Sequence, residues 1–177
     1  MSGNFLCRKR LSLLTVSYRL YNHCWEKEKN MKEPQECRVV IGLADITGFA
    51  KACENKPDIE TFEMLNKFYG FIGKVIGKAD GTVIKFMGDS ALVMFPEDKA
   101  KQAVASLREL ASTTDGVWYK FDEKCSVRTR AHVGSVVIGQ MGPDGRLDVI
   151  GNTLNRLFLM PWDGPELSDE LKQLVEQ

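Results

Sequence analysis

From Pro57 onward, apolar residues recur at Ile59, Phe62, Leu65, Phe68, Tyr69, Ile72, Val75 and Ile76. Spacings of three and four put these side chains on one stripe of a long helix. Pro57 is tolerated at its start, because the first-turn N–H groups have no intrahelical partner anyway. Runs of another kind bracket this helix. Residues 38–44 (RVVIGLA) are short and β-branched and end at Asp45, as a buried strand would. Residues 82–86 and 91–95 read as two strands joined through Met87-Gly88-Asp89-Ser90 as a hairpin, after a turn at Asp80-Gly81. A second helix starts at Pro96-Glu97-Asp98 and runs to about Leu110, with Ala103, Val104, Leu107 and Leu110 inward. Residues 126–132 and 135–138 read as two more strands around Gly134, and Gly142-Pro143-Asp144-Gly145 as a loop. Helices are expected from Gly151 to about Met160 and over residues 168–175, the latter capped by Ser168. The order βαββαββ predicts an α+β fold: an antiparallel-rich sheet with helices packed on one face.

Composition narrows the function classes. The chain has 177 residues, which suits one domain able to bury a core without staples. Lys plus Arg and Asp plus Glu both number 24, so there is no net charge to drive nucleic-acid binding by counterion release. No apolar run reaches the ~18 residues of a membrane span. Five cysteines without a C-x-x-C pair argue against a disulfide framework or a zinc site. Cys37, Cys53 and Cys125 read as small apolar fillers, and a cytoplasmic location is the expectation. Residues 1–30 stand apart, with six basic and two acidic side chains. Arg8-Lys9-Arg10 precedes Leu11-Ser12-Leu13-Leu14, but Arg19 interrupts the apolar run that a signal peptide needs. Residues 1–30 are therefore expected to be a disordered basic leader or the product of an early start codon. Membrane association through a basic amphipathic helix is the alternative. Residues 31–177 are the domain.

Two aspartates carry the chemistry. Asp45 closes the first strand and Asp89 sits at the hairpin tip, so a βαββ arrangement can bring them to one end of the sheet. Carboxylates without His or Cys suit Mg²⁺ or Mn²⁺. Two such ions ~3.5–4 Å apart can activate an attacking oxygen and neutralise a leaving one. The backbone of residues 46–50, opening a helix, can offer N–H groups to phosphates. Each aspartate also has a plain reading, as a helix cap or a turn residue.

The surrounding motifs are more specific. Ala44-Asp45-Ile46-Thr47-Gly48-Phe49, then Lys85-Phe86-Met87-Gly88-Asp89, then Arg128 through His132 to Gly134, then Asp148-Val149-Ile150-Gly151 with Asn155, resemble the class III nucleotidyl cyclase catalytic domain. The resemblance runs from about Arg38 to Met160 and implies a ferredoxin-like, palm-type fold. It implies cyclisation of a nucleoside triphosphate to the 3′,5′-cyclic monophosphate, with pyrophosphate released.

On this resemblance Asp45, the Ile46 backbone and Asp89 hold two Mg²⁺ or Mn²⁺ ions per site. The backbone at Phe49 and Ala50 meets the terminal phosphates. Arg128 neutralises phosphate charge, its plain reading being a solvated strand residue. Lys85 and Asp148 read adenine, which makes ATP the expected substrate and GTP or a pyrimidine triphosphate the alternative. For Lys85 the plain alternative is a strand-edge lysine, and for Asp148 a loop partner of Arg146. Asn155 orients the ribose. The resemblance also implies a homodimer whose sites lie at the interface, with the metal aspartates from one chain and the base and ribose residues from the other. Two departures stand out. The family places an arginine four residues after Asn155, where this chain has Leu159. The last strands of the family are also expected to be missing or much shortened after Ser168. Both features suit slow turnover, or a cyclase-like module that binds nucleotide or a partner without turnover. His132 is expected to be a strand or core histidine, and Phe62, Phe68 and Phe71 core or dimer packing.

Overall fold

The computed structural model describes residues 33–112, 125–164 and 166–177. The expected leader at residues 1–30 lies outside them. Five strands form the sheet: β1 (Gln35–Thr47), β2 (Thr82–Met87), β3 (Ser90–Pro96), β4 (Ser126–Met141) and β5 (Arg146–Ile150). The helices are α1 (Phe49–Cys53), α2 (Asp58–Lys78), α3 (Ala100–Ser112), α4 (Asn152–Leu159) and α5 (Asp169–Glu176). The spatial order is β2-β3-β1-β4-β5, with every neighbouring pair antiparallel. The first four strands with α2 and α3 make the expected ferredoxin-like unit, whose central strand is β1.

Alternation along β1 divides the core. Val40, Ala44 and Ile46 face one cluster, which α2 and α3 close with Phe68, Ile72, Ile76, Leu107 and Leu110. Val39, Ile41 and Leu43 face the other, which α4 closes with Leu154 and Leu157. Each large side chain buried in this way contributes about 1.5–3 kcal/mol. The layer of helices expected on one face is thus α2, α3 and α5, while the short α4 lies on the other. Its apolar residues follow a helical period, and periodicity does not say which face of a sheet a helix covers.

Two expectations about strands are corrected. Residues 126–138 are not two strands around Gly134 but parts of one continuous β4. Gly134 is present because α4 comes close: a Cβ there would sit 2.5 Å from Thr153 Oγ1. A glycine that marks close approach gives the same sequence signal as one that marks a break. The second correction is β5, which was not anticipated. Leu147 and Val149 are buried while Arg146, Asp148 and Ile150 are not, a period of two masked by a charge in mid-strand.

β2 carries a bulge between Val83 and Lys85. Val83 faces the first cluster, whereas Ile84 reaches the second. Lys85 then pairs with Leu92, a residue of the second cluster. Without the extra residue, Lys85 would share a face with Val83. The two edges of the sheet curl toward each other over this cluster, which holds Ile84 of β2 beside Leu147 and Val149 of β5.

Candidate active site

Asp45 lies near the end of β1, opposite Ser90 of β3 on one side and Arg128 of β4 on the other. Asp89 occupies the two-residue turn between β2 and β3. The turn is fixed to β1, since Ile46 N–H donates to the Asp89 carbonyl at 3.1 Å. It is fixed to α2 as well: Tyr69 Oη donates to the Gly88 carbonyl at 2.7 Å, and the Tyr69 ring stacks on Phe86 with centroids 3.9 Å apart. Gly88 takes φ 64°, a left-handed conformation that favours glycine. Ser90 Oγ donates to Asp45 Oδ1, which orients that carboxylate. Both aspartates open onto one cavity of about 440 Å³, lined also by Ile46, Phe49, Ala50, Arg128 and Trp162.

Two carboxylates at one cavity repel each other. Partial burial pushes the Asp89 carboxyl above its ordinary range, and the charge of Asp45 pushes it further. Among the described residues neither aspartate has an ion pair within 4 Å. Gly48, at φ 79°, caps α1 without a side-chain hydrogen bond, which leaves first-turn N–H groups uncapped at Phe49 and Ala50, residues that line the same cavity. The site thus joins two carboxylates without a close counter-ion to uncapped backbone donors, with Arg128 at the rim and Arg130 near enough for Asp45 to favour its charge.

The remaining expected residues lie elsewhere. Lys85 Nζ sits 2.8 Å from both oxygens of Asp148, joining the β2 and β5 edges. The loop pairing considered for Asp148 does not occur, since Arg146 faces Asp144 instead at 3.6 Å. Asn155 is exposed on α4, and Leu159 is 81% exposed. None of Lys85, Asp148 and Asn155 lines the aspartate cavity. Arg128 is exposed at its rim. One chain therefore carries two groups of residues that do not meet within it.

His132 is buried on β4 as expected, with Nδ1 2.8 Å from Ser168 Oγ. Burial pushes its pKa below the ordinary 6.5, opposed by Glu170 and supported by Arg156. Phe68 is fully buried and Phe71 packs against the first cluster, while Phe62 is 66% exposed and so is not a core residue. Cys37 and Cys125 pack against the two clusters as fillers. A larger cavity of about 550 Å³ lies beside His132, Arg156 and the start of α4, but it holds neither aspartate.

Four residues of the site were not singled out for it from sequence: Ser90, Tyr69, Arg130 and Trp162. Tyr69 counted as part of an apolar stripe, and its hydroxyl was the overlooked signal. Ser90 follows from strand register, once β3 is placed against β1. Nothing local marks Arg130 or Trp162, because a turn after α4 brings them together.

A ferredoxin-like sheet with two carboxylates at one strand end is the arrangement expected of a palm-type, nucleotide-cyclising domain. The chain belongs to the adenylate and guanylate cyclase catalytic domain family, which it matches over residues 31–162. The adenylate cyclase of Anabaena cylindrica is 29% identical over 132 residues, covering 67% of this chain and 26% of that protein. Adenylate cyclase 2 of Rhizobium meliloti is 26% identical over 153 residues, covering 82% of this chain and 39% of that protein. The chain thus spans between about a quarter and two-fifths of the length of these relatives. The adenylyl cyclase CyaB from P. aeruginosa shares the fold with a TM-score of 0.72 at 22% identity, over 81% of this chain and 83% of that one. The guanylyl cyclase Cya2 does so with a TM-score of 0.69 at 22% identity, over 80% and 79%. No helix among the described residues is long and apolar enough to cross a membrane.

Proposed function

We propose that this domain cyclises a nucleoside triphosphate, preferentially ATP, to its 3′,5′-cyclic monophosphate and pyrophosphate. The observation that carries the proposal is the convergence of Asp45 and Asp89 on one cavity beside uncapped backbone N–H groups. The donor set fits hard divalent cations: the charge of Asp45 raises the proton affinity of Asp89, and among the described residues no cationic side chain lies within 4 Å of either carboxylate. Among the described residues no third His, Cys, Asp or Glu joins them, which suits ions that take further ligands from phosphates and water. Mg²⁺ or Mn²⁺, held by Asp45, Asp89 and the Ile46 carbonyl, would supply Lewis acidity and charge neutralisation. Ser90 keeps Asp45 turned toward the cavity. The N–H groups at Phe49 and Ala50 hold terminal phosphate oxygens, and Arg128 offsets their charge. The ribose 3′-oxygen loses its proton and bonds to the α-phosphorus as the bond to the bridging oxygen of pyrophosphate breaks.

Base and ribose recognition calls for a second chain. Lys85 and Asp148 form a donor–acceptor pair matched to the ring nitrogen and amino group of adenine, and Asn155 is exposed nearby in sequence on α4. Ile150, Phe158 and Leu159 are 50%, 44% and 81% exposed around Asn155, an apolar surface that a partner copy would cover. A symmetric dimer would bring each group of base and ribose residues to the partner's aspartates, giving two sites.

The test offers ATP, GTP, CTP and UTP to purified protein with Mg²⁺ or Mn²⁺ and reads cyclic products by mass. Cyclic AMP as the main product, lost in Asp45→Ala, supports the proposal; a different cyclic nucleotide would overturn the reading of Lys85 and Asp148. Leu159 favours a second reading, a cyclase-like binding module, because a hydrocarbon cannot stabilise transition-state charge. No product from wild type, with product gained in Leu159→Arg, would establish it.

A further inference from the structure

After α4 the chain turns sharply through Pro161-Trp162-Asp163-Gly164. Gly164 N–H donates to the Pro161 carbonyl at 3.2 Å, and a Cβ on Gly164 would lie 2.6 Å from Pro161 Cγ. The chain then runs along the free edge of β4. Ala131 N–H donates to the Glu166 carbonyl at 2.9 Å, and Ser168 N–H to the Ala131 carbonyl at 3.0 Å. Thr129 Oγ1 donates to Glu166 Oε1 at 2.7 Å. Both ends of the turn are thereby fixed, and Trp162 is set against the aspartate cavity, of which it forms one wall.

Arg130 lies beneath that indole. It stands two residues beyond Arg128 on β4, and so on the face that carries Asp45. Only 7% of it is exposed, and its guanidinium carbon is 3.9 Å from the Trp162 ring centroid. Its Nη1 donates to the Met160 carbonyl, in the same turn that carries Trp162. Its Nε is buried without a hydrogen-bond partner among the described residues. A buried guanidinium with an unmet donor is costly; the charge of Asp45 and the stacked indole each offset part of the cost. A methionine of similar length would fill the space without that penalty. The pair is better explained by what it does for the indole: a planar cation, anchored to the turn's own backbone, fixes the plane and position of the ring.

We infer that Trp162 is a substrate-positioning wall of the metal–triphosphate cavity, and that Arg130 is the positioning residue that holds it there. The inference rests on the cyclase reading and adds to it the segment after α4. The ring limits where the triphosphate can lie relative to Asp45 and Asp89, without touching the bonds that change. Its loss should therefore appear in binding of the metal–nucleotide rather than in the chemical step.

The full chain is used, with Trp25 and Trp118 changed to phenylalanine so that Trp162 is the only emitter. Titration with Mn²⁺–ATP should change Trp162 emission. In steady state, Trp162→Ala should raise KM for Mn²⁺–ATP about tenfold with kcat held within about threefold, and Trp162→Phe should stay within about twofold of wild type on both. Arg130→Met keeps the volume and relieves the unmet donor, so it should melt no lower than wild type. It should still raise KM and shift Trp162 emission to the red as the ring is released. Unchanged KM in Trp162→Ala while wild type makes product would overturn the inference and leave the cyclase reading standing. If wild type makes no product, the cyclase reading fails and the emission titration decides alone: a saturable change supports the positioning wall, and none overturns it.

Discussion

Asp89 shows how a single side chain reports the site's purpose. Its carboxyl is pushed upward by burial and by Asp45, so the folded protein binds its proton more tightly than the unfolded chain does. Without divalent cations, stability should fall as pH rises from the ordinary carboxylate range through this raised value. Asp89→Asn should therefore raise the melting temperature of the metal-free protein at neutral pH and abolish cyclic product. Scanning calorimetry in a chelator, beside a product assay, checks both; a lower melting temperature would mean that the carboxylate is compensated after all. His132 works in the opposite sense. It is kept neutral by burial, with its pKa below 6.5, and faces Ser168, Glu170 and Arg156. Its contribution is complete above the unfolded value near 6.5 and is lost as pH falls through the folded one. Urea melts should show a stability loss on going from pH 7 to pH 5, and His132→Gln should flatten it. An unchanged slope would place the loss in the carboxylates instead.

Individual residues act through the elements that carry them, and β4 with α4 is the pair on which Asn155 depends. Thr153 Oγ1 donates to the Ser135 carbonyl at 2.6 Å, directly over Gly134. Gly134→Ala should cost about 1–3 kcal/mol, because the new methyl must displace either Thr153 or the helix. Adding Thr153→Ala removes the obstructing oxygen and should recover part of the loss in a thermal melt. If the double variant were no more stable than the single one, the close approach of α4 would not be the source of the cost. The same pair shows why legibility was uneven. The long helix α2, the hairpin and the aspartates' meeting point were visible because period, turn residues and strand order all agreed. β4 was divided at Gly134 and β5 went unseen, since a tolerated glycine and a mid-strand Asp148 imitate breaks. The side on which α4 packs, the bulge that turns Lys85 and the indole over Arg130 depend on contacts between distant segments, which no local pattern encodes.

For the whole molecule, the central fact is that the two groups of residues stay apart within one chain. Asp45, Asp89, Phe49, Ala50 and Arg128 share a cavity; Lys85 pairs with Asp148, and Asn155 lies on α4. Their roles, and their division between two chains, are what the family resemblance implies; motif order alone carries no distances and would not have separated them. The account therefore stands or falls on sites completed between two chains. The most direct measurement mixes two inactive proteins, Asp45→Ala and Asn155→Ala, under conditions that let dimers exchange, and reads cyclic nucleotide formation. Each mixed dimer would hold one site with an intact Asp45 from one chain and an intact Asn155 from the other. Random exchange of equal amounts makes about half the dimers mixed, so activity should recover to about a quarter of wild type. No recovery, from variants shown to exchange, would contradict the account and confine catalysis to a single chain.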